Sequence, residues 1–210
     1  SLLGAYENPT LQVQITKIFS QLASQLCDGQ QMDMNFEQSS STNVEDYLKM
    51  ITLKTGVLIA GALKMGALIG GASEEDSDKL YNYGKNVGIA FQLQDDLLDT
   101  FGEFEKVGKK IGGDIVQNKK TYLYLKSLEL AGDEVKEKLT DLYLNNTLSE
   151  EHKILEVTKI FKSLVVDEYA RQVRDAYLDL SNAHLDAIAL PVVNKKELRE
   201  LGKQLINRDF

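Results

Sequence analysis

The sequence predicts an all-α protein, and three observations lead there. Its two prolines, Pro9 and Pro191, lie near the ends, so the long interior holds no residue that breaks a helix. Apolar residues recur at helical spacing through that interior, and no segment alternates as a half-buried strand would. Of the 210 residues, 43% are hydrophobic, enough for one core. No internal repeat or low-complexity tract supports a second unit, so residues 1–210 read as a single helical domain.

Asn8-Pro9-Thr10 opens the first helix. Its apolar positions Leu11, Ile15, Ile18, Phe19, Leu22 and Leu26 carry it to about Gly29 or Asp33. Ser39 to Asn43 forms a polar loop that supplies the next cap. A long second helix covers about Val44 to Ile69. Gly56, Gly61 and Gly66 lower its propensity but permit close approach of another helix. Gly70-Gly71 stops it. Ser73, followed by Glu74, Glu75 and Asp76, caps a third helix that runs to about Phe101. Gly102 to Asn118 reads as a lysine- and glycine-rich loop. Further helices are predicted over about Lys120 to Leu130, Asp133 to Leu144, Ser149 to His184 in one piece or two, and Asn194 to Asn207. Asn194 and Glu197 have capping-box spacing.

The net charge of −8 argues against a nucleic-acid partner, because such modules place Lys and Arg where counterions can be released. A single cysteine, Cys27, builds neither a disulfide framework nor a thiolate zinc site, and a reducing cytoplasmic location is expected. The most apolar stretch, Val57 to Ala72, contains Lys64 and follows Lys54, so no transmembrane segment is expected. The chain opens at Ser1, without an initiator methionine or a targeting peptide, as a fragment or processed product would.

Chemistry concentrates in Phe91-Gln92-Leu93-Gln94-Asp95-Asp96-Leu97-Leu98-Asp99. At ~100° per residue, with Gln92 at zero, Asp95 lies near ~−60°, Asp99 near ~−20° and Asp96 near ~+40°. The three carboxylates therefore share one face, and no cation lies within a turn to relieve their repulsion. Clustered hard oxygen ligands suit Mg²⁺, which takes one or two carboxylates and completes its octahedron with water and phosphate oxygens. Such a pattern taken alone also describes a solvated acidic face. Two further features bear on the choice. Gly108, Lys109, Lys110, Gly112, Gly113 and Lys119 form a loop able to close over an anion, though they would equally suit a solvated loop. Lys54-Thr55 sets a cation beside Leu58, Gly61 and Met65, as an anionic head on an apolar tail requires, or as a snorkelling lysine would.

Taken in order, Cys27 to Asp33, Lys54-Thr55, Phe91 to Asp99, Lys110-Ile111-Gly112-Gly113-Asp114, Asn118-Lys119 and the terminal Asn207 to Phe210 resemble the motifs of the trans-isoprenyl diphosphate synthases, the polyprenyl synthetase family. The resemblance spans nearly the whole chain, and the Phe91 to Asp99 run matches the family's second aspartate-rich motif. The family's first DDxxD motif, with the basic residues that bind isopentenyl diphosphate, has no counterpart here.

The resemblance implies an isoprenoid-synthase-type helical bundle around a central cavity, lacking its N-terminal helices. It implies a homodimeric, Mg²⁺-dependent prenyltransferase of isoprenoid biosynthesis that condenses an allylic diphosphate with isopentenyl diphosphate. By motif, Asp95 and Asp99 would ligate Mg²⁺, with Asp96 as ligand or orienter. Lys54 and Lys110 would hold the allylic diphosphate, and Lys119 would add charge from the loop. Thr55 and Gln92 would make polar contacts near the developing cation, and Gly29, Gln30 and Asp33 would play supporting roles. The chain is expected to be the C-terminal portion of such an enzyme, preceded in its parent by the missing motif and inactive by itself. A terpene cyclase-like enzyme and a noncatalytic partner subunit are the alternatives. Lys54-Thr55 and Lys110 to Asp114 favour elongation over cyclisation, and the intact acids and lysines disfavour a decayed subunit. The cavity-floor residues that set product length in this family lie around the absent motif.

His152 and His184 read as surface residues without partners at metal spacing. Tyr81 falls on the Gln92 face, where it would either pack in the core or line the cavity. Asp167, Glu168, Arg171, Arg174, Asp175 and Asp179 read as a solvated helix face.

Overall fold

A computed structural model describes residues 8–39, 41–102, 111–145 and 147–206, and among them every regular element is helical. Helix α1 (Pro9–Gln38) starts where the sequence indicates: the Asn8 side chain accepts from the Leu11 N–H at 3.2 Å, and Pro9 occupies the first turn. It runs past Gly29 and Asp33, which the sequence suggests as its end. Gly29 is a contact point and no terminator: a Cβ there would lie 2.5 Å from the Lys54 nitrogen and 2.8 Å from the Leu53 carbonyl carbon. Packing against that backbone offsets the helical cost of glycine. Gly29→Val should therefore cost about 3 kcal/mol or more, since backbone cannot yield as a side chain can. Urea unfolding measures it, and a change within about 0.5 kcal/mol would show that α1 does not sit there.

The predicted second helix is present but interrupted. Helix α2 (Val44–Ile51) begins at an Asn43/Asp46 capping box with bonds of 2.9 and 3.2 Å, a π turn follows over Thr52–Gly56, and α3 (Val57–Ile69) completes the run. An 18-residue window within Val44–Ile69 reaches a mean hydropathy of 1.4, a length and apolarity that a membrane span and a packed helix of a bundle share. Here it packs along α4 (Glu74–Phe101), which Ser73 caps by accepting from the Asp76 N–H at 3.1 Å.

Past α4, the predicted loop contains a short helix, α5 (Gly113–Val116). Helix α6 (Tyr122–Leu130) starts after Lys120, whose ammonium instead caps the end of α1, donating to the Phe36 carbonyl at 2.6 Å and to that of Ser39. Lys120→Met should thus lower stability by about 2 kcal/mol without altering charge elsewhere. A urea midpoint unchanged from the parent chain would show the cap to be dispensable.

Helix α7 (Asp133–Leu144) matches its predicted bounds. The long segment after Ser149 divides into α8 (Glu150–Ser163) and α9 (Val166–Asp186), separated at Val165 with φ of 50°. Helix α10 (Val192–Ile206) begins directly after Pro191, and the Asn194 N–H bonds to the Pro191 carbonyl at 3.0 Å. The predicted Asn194 capping box is absent because proline's fixed φ starts the helix earlier.

Helix α4 is central, with α3 along one side and α9 along another. Leu93 and Leu97 enter the core with Tyr47, Ile51, Leu123, Phe161 and Val166. Helix α4 also meets α2, α5 and α6.

Candidate functional site

Two glycines bring the site's two main helices together. A Cβ on Gly88 of α4 would fall 2.7 Å from the Gly56 Cα, so the π turn and α4 meet backbone to backbone. One turn further along α4 is Gln92, whose side-chain oxygen accepts from the Thr55 hydroxyl at 3.3 Å. A π turn holds one more residue per turn than an α-helix, and such turns recur where a side chain must be re-aimed. Here it presents Lys54 to a cleft of about 140 Å³. Around that cleft stand Asp33 from α1, Lys54 from the π turn, Gln92 and Asp95 from α4, and Asp114 and Lys119 from α5 and its exit.

Two ion pairs cross the cleft, Lys54 with Asp33 and Lys119 with Asp114, each at 2.6 Å. Lys54 is 38% exposed and Lys119 54%, so water screens both pairs and neither adds much stability. Cations held loosely in this way can exchange a carboxylate for a multivalent anion at little cost. Asp33 belongs to a motif with only a supporting role in the sequence reading, yet it is the direct partner of Lys54.

The three aspartates of α4 do not behave alike. Asp95 lines the cleft. Asp96 reaches the same cleft from its floor but is only 3% exposed. Its carboxylate accepts from the Tyr47 hydroxyl at 2.5 Å and the Tyr122 N–H at 3.4 Å, tying α2, α4 and α6 together. Burial pushes its pKa up to about 7 against the opposing pull of the Tyr47 hydrogen bond. Asp99 is turned toward the loop, where it accepts from the Asp114 N–H at 2.9 Å. Burial raises its pKa, as do the charges of Asp114 and Asp95. Lys119, by contrast, is held above its ordinary value: burial pulls it down, and its bond to Asp114 and the acids around it outweigh that pull. One helix face thus resolves into a half-buried acid at the cleft, a buried acceptor and a loop anchor.

Among the described residues, no three His, Cys, Asp or Glu side chains converge as a metal cage. A cage is not what Mg²⁺ requires, since it keeps several waters and takes one or two carboxylates beside phosphate oxygens. Asp95 and Asp114 at the cleft, with Asp99 bonded to the Asp114 N–H, supply hard oxygen donors, and their like charges add to the burial that raises the Asp99 pKa, a repulsion that a cation would relieve. The residues fit the ion.

Lys110 lies outside the described residues. Gln30 is exposed on α1, away from the pair its neighbour Asp33 makes. Tyr81 lines a different cleft, of about 420 Å³, with the Lys64–Asp78 pair. Cys27 and His152 are exposed, as expected for surface positions. Arg174 departs from the solvated face predicted for α9: it is 15% exposed and bonds Gln94 of α4 at 2.5 Å. Sequence reading missed Tyr47, and it quoted Asp114, Asn118 and Lys120 without a role. The 49 positions between Tyr47 and Asp96 leave no local signal of their pairing.

Fold and cleft together define an all-α protein whose helices converge on a cleft of paired acids and lysines. The comparisons agree with that class: the polyprenyl synthetase family matches residues 2–161, and the chain belongs to this family. It is 35% identical over 163 residues to a short chain isoprenyl diphosphate synthase of Methanothermobacter thermautotrophicus, covering 78% of this chain and 49% of that protein. A crystal structure of geranylgeranyl pyrophosphate synthase superposes with a TM-score of 0.92 at 36% identity, covering 100% of this chain and 64% of that one. The geranylgeranyl pyrophosphate synthase of Corynebacterium glutamicum, complexed with isoprenyl diphosphate and magnesium, gives 0.86 at 28% identity, covering 96% and 57%. The chain spans about half the length of the curated relatives it matches.

Proposed function

We propose that this chain carries the diphosphate-binding half of a prenyltransferase that joins an allylic diphosphate to isopentenyl diphosphate. The observation that supports this most is the cleft itself, which Lys54 and Lys119 line together with Asp95, each lysine paired among the described residues with a carboxylate that an anion could replace. Lys54 would release Asp33, and Lys119 would release Asp114, each for a phosphate oxygen. Charge builds on the diphosphate as the allylic C–O bond breaks, and the two ammonium groups stabilise it as it leaves. Mg²⁺, held by Asp95 with Asp99 or Asp114, would supply further neutralisation of the same oxygens. Thr55 and Gln92, hydrogen-bonded to each other beside Lys54, present oxygen dipoles where positive charge develops on the allyl group. Isopentenyl diphosphate attacks that carbon through its double bond and then loses a proton.

Titration calorimetry with an allylic diphosphate tests this reading. Binding is expected with Mg²⁺, with loss on chelation and none for the corresponding allylic alcohol. An alcohol that binds as well as the diphosphate would show that the cleft does not read the head group. By itself the chain is expected to give no product from labelled isopentenyl diphosphate, since groups that act as a unit leave no graded remainder when half are missing. Robust product would place the whole machinery within these 210 residues.

A further inference from the structure

The cleft's loop is held from behind by two consecutive residues of α8. Helix α5 is flanked by left-handed residues, Gly112 with φ of 82° before it and Asn118 with φ of 58° after it. At the first, a Cβ would meet Ile154 side-chain atoms at 2.6 to 2.9 Å. At the second, the Lys153 ammonium donates to the Asn118 side-chain oxygen and also to the Tyr143 carbonyl at 3.2 Å. The same ammonium lies 5.6 Å from the Tyr143 ring centroid. Lys153 is only 5% exposed, and its two hydrogen-bond acceptors among the described residues are neutral. A buried ammonium against neutral acceptors is costly, so its position calls for a reason beyond stability.

Asn118 supplies one. It lines the cleft directly before Lys119, and its left-handed backbone turns the chain so that the Lys119 N–H bonds the Asp114 carbonyl at 2.9 Å while the Lys119 ammonium reaches the Asp114 carboxylate. Asparagine tolerates that conformation, though only glycine adopts it freely. We propose that Lys153 is a positioning residue, locking Asn118 in the turn that delivers Lys119 and Asp114 to the cleft. This rests on the diphosphate reading for its consequence, although the lock itself can be measured without any ligand.

Hydrogen exchange and pyrophosphate binding in Mg²⁺ test it together on the full chain. Lys153→Met should speed exchange of the Asn118 and Lys119 amides at least tenfold and leave those of Leu93 and Leu97 unchanged. It should also weaken pyrophosphate about tenfold. Adding Asn118→Gly should restore both, because glycine needs no lock, whereas a lysine that merely filled the core would not be rescued at Asn118. Unchanged exchange at Asn118 and Lys119, or loosening throughout the bundle without rescue, overturns the proposal. If K153M does not fold, Asn118→Ala removes the acceptor from the other side and must speed the same two amides; unchanged rates there overturn it equally. A parent chain that binds no pyrophosphate would refute the diphosphate reading, while the exchange rates would still decide the lock.

Discussion

Asp95→Ala and Lys54→Ala should each weaken Mg²⁺-pyrophosphate binding about 10- to 100-fold and leave unfolding nearly unchanged. Hydrogen bonds to charged groups contribute about 1.5–3 kcal/mol, and each 1.4 kcal/mol is a factor of ten in affinity. Stability should hardly move, because Lys54 and Asp33 are both more than a third exposed and their pair is screened. The two variants differ in one respect. Asp95→Ala should also reduce the dependence on Mg²⁺, whereas Lys54→Ala should lower affinity at every Mg²⁺ concentration. Calorimetry across a Mg²⁺ series separates them, and identical profiles would mean that Asp95 acts through charge alone.

Asp96→Ala should behave in the opposite way, losing about 3 kcal/mol of stability. It would leave the buried Tyr47 hydroxyl without its acceptor and open space at the junction of α2, α4 and α6. For a chain of this length that corresponds to a fall in melting temperature of roughly 6–12 °C. Asp96→Asn keeps an acceptor for the Tyr47 hydroxyl, so it should fold within about 1 kcal/mol of the parent. Thermal melts of the two variants provide the check. A melt for Asp96→Ala as high as the parent's would show that this aspartate does not hold the three helices together.

The contrast between Asp95 and Asp96 marks how far the sequence could be read. Helical periodicity put Gln92 and the aspartates on one face of α4; in the structure Gln92, Asp95 and Asp96 line the cleft, Asp99 turns to the Asp114 N–H, and Leu93 and Leu97 lie in the core. Periodicity gives angles about one axis, however, and cannot say which neighbour lies at each angle. Tyr47 buries Asp96, while Asp95 stays half-buried at the cleft, and that difference is tertiary. Gly29 was misleading for a related reason: its local cost suggests a helix end, and only the Lys54 backbone pressed against it explains why the helix continues. The π turn at Thr52–Gly56 has no local signature either. It arises where Gly56 meets Gly88, and glycine spacing alone permitted that contact without predicting the widened turn. Lys54 and Thr55 were legible through family motifs, while the Asp33 partner of Lys54, 21 positions away, was legible only as part of a motif with a supporting role.

A crystal structure of the chain with Mn²⁺ and pyrophosphate, phased on the manganese anomalous signal, tests the central claim most directly. An anomalous peak is expected at the Asp95 carboxylate, with the pyrophosphate between it and the Lys54 and Lys119 ammonium groups and both lysines released from Asp33 and Asp114. A peak and a pyrophosphate placed elsewhere, with the two ion pairs across the cleft intact, would contradict it.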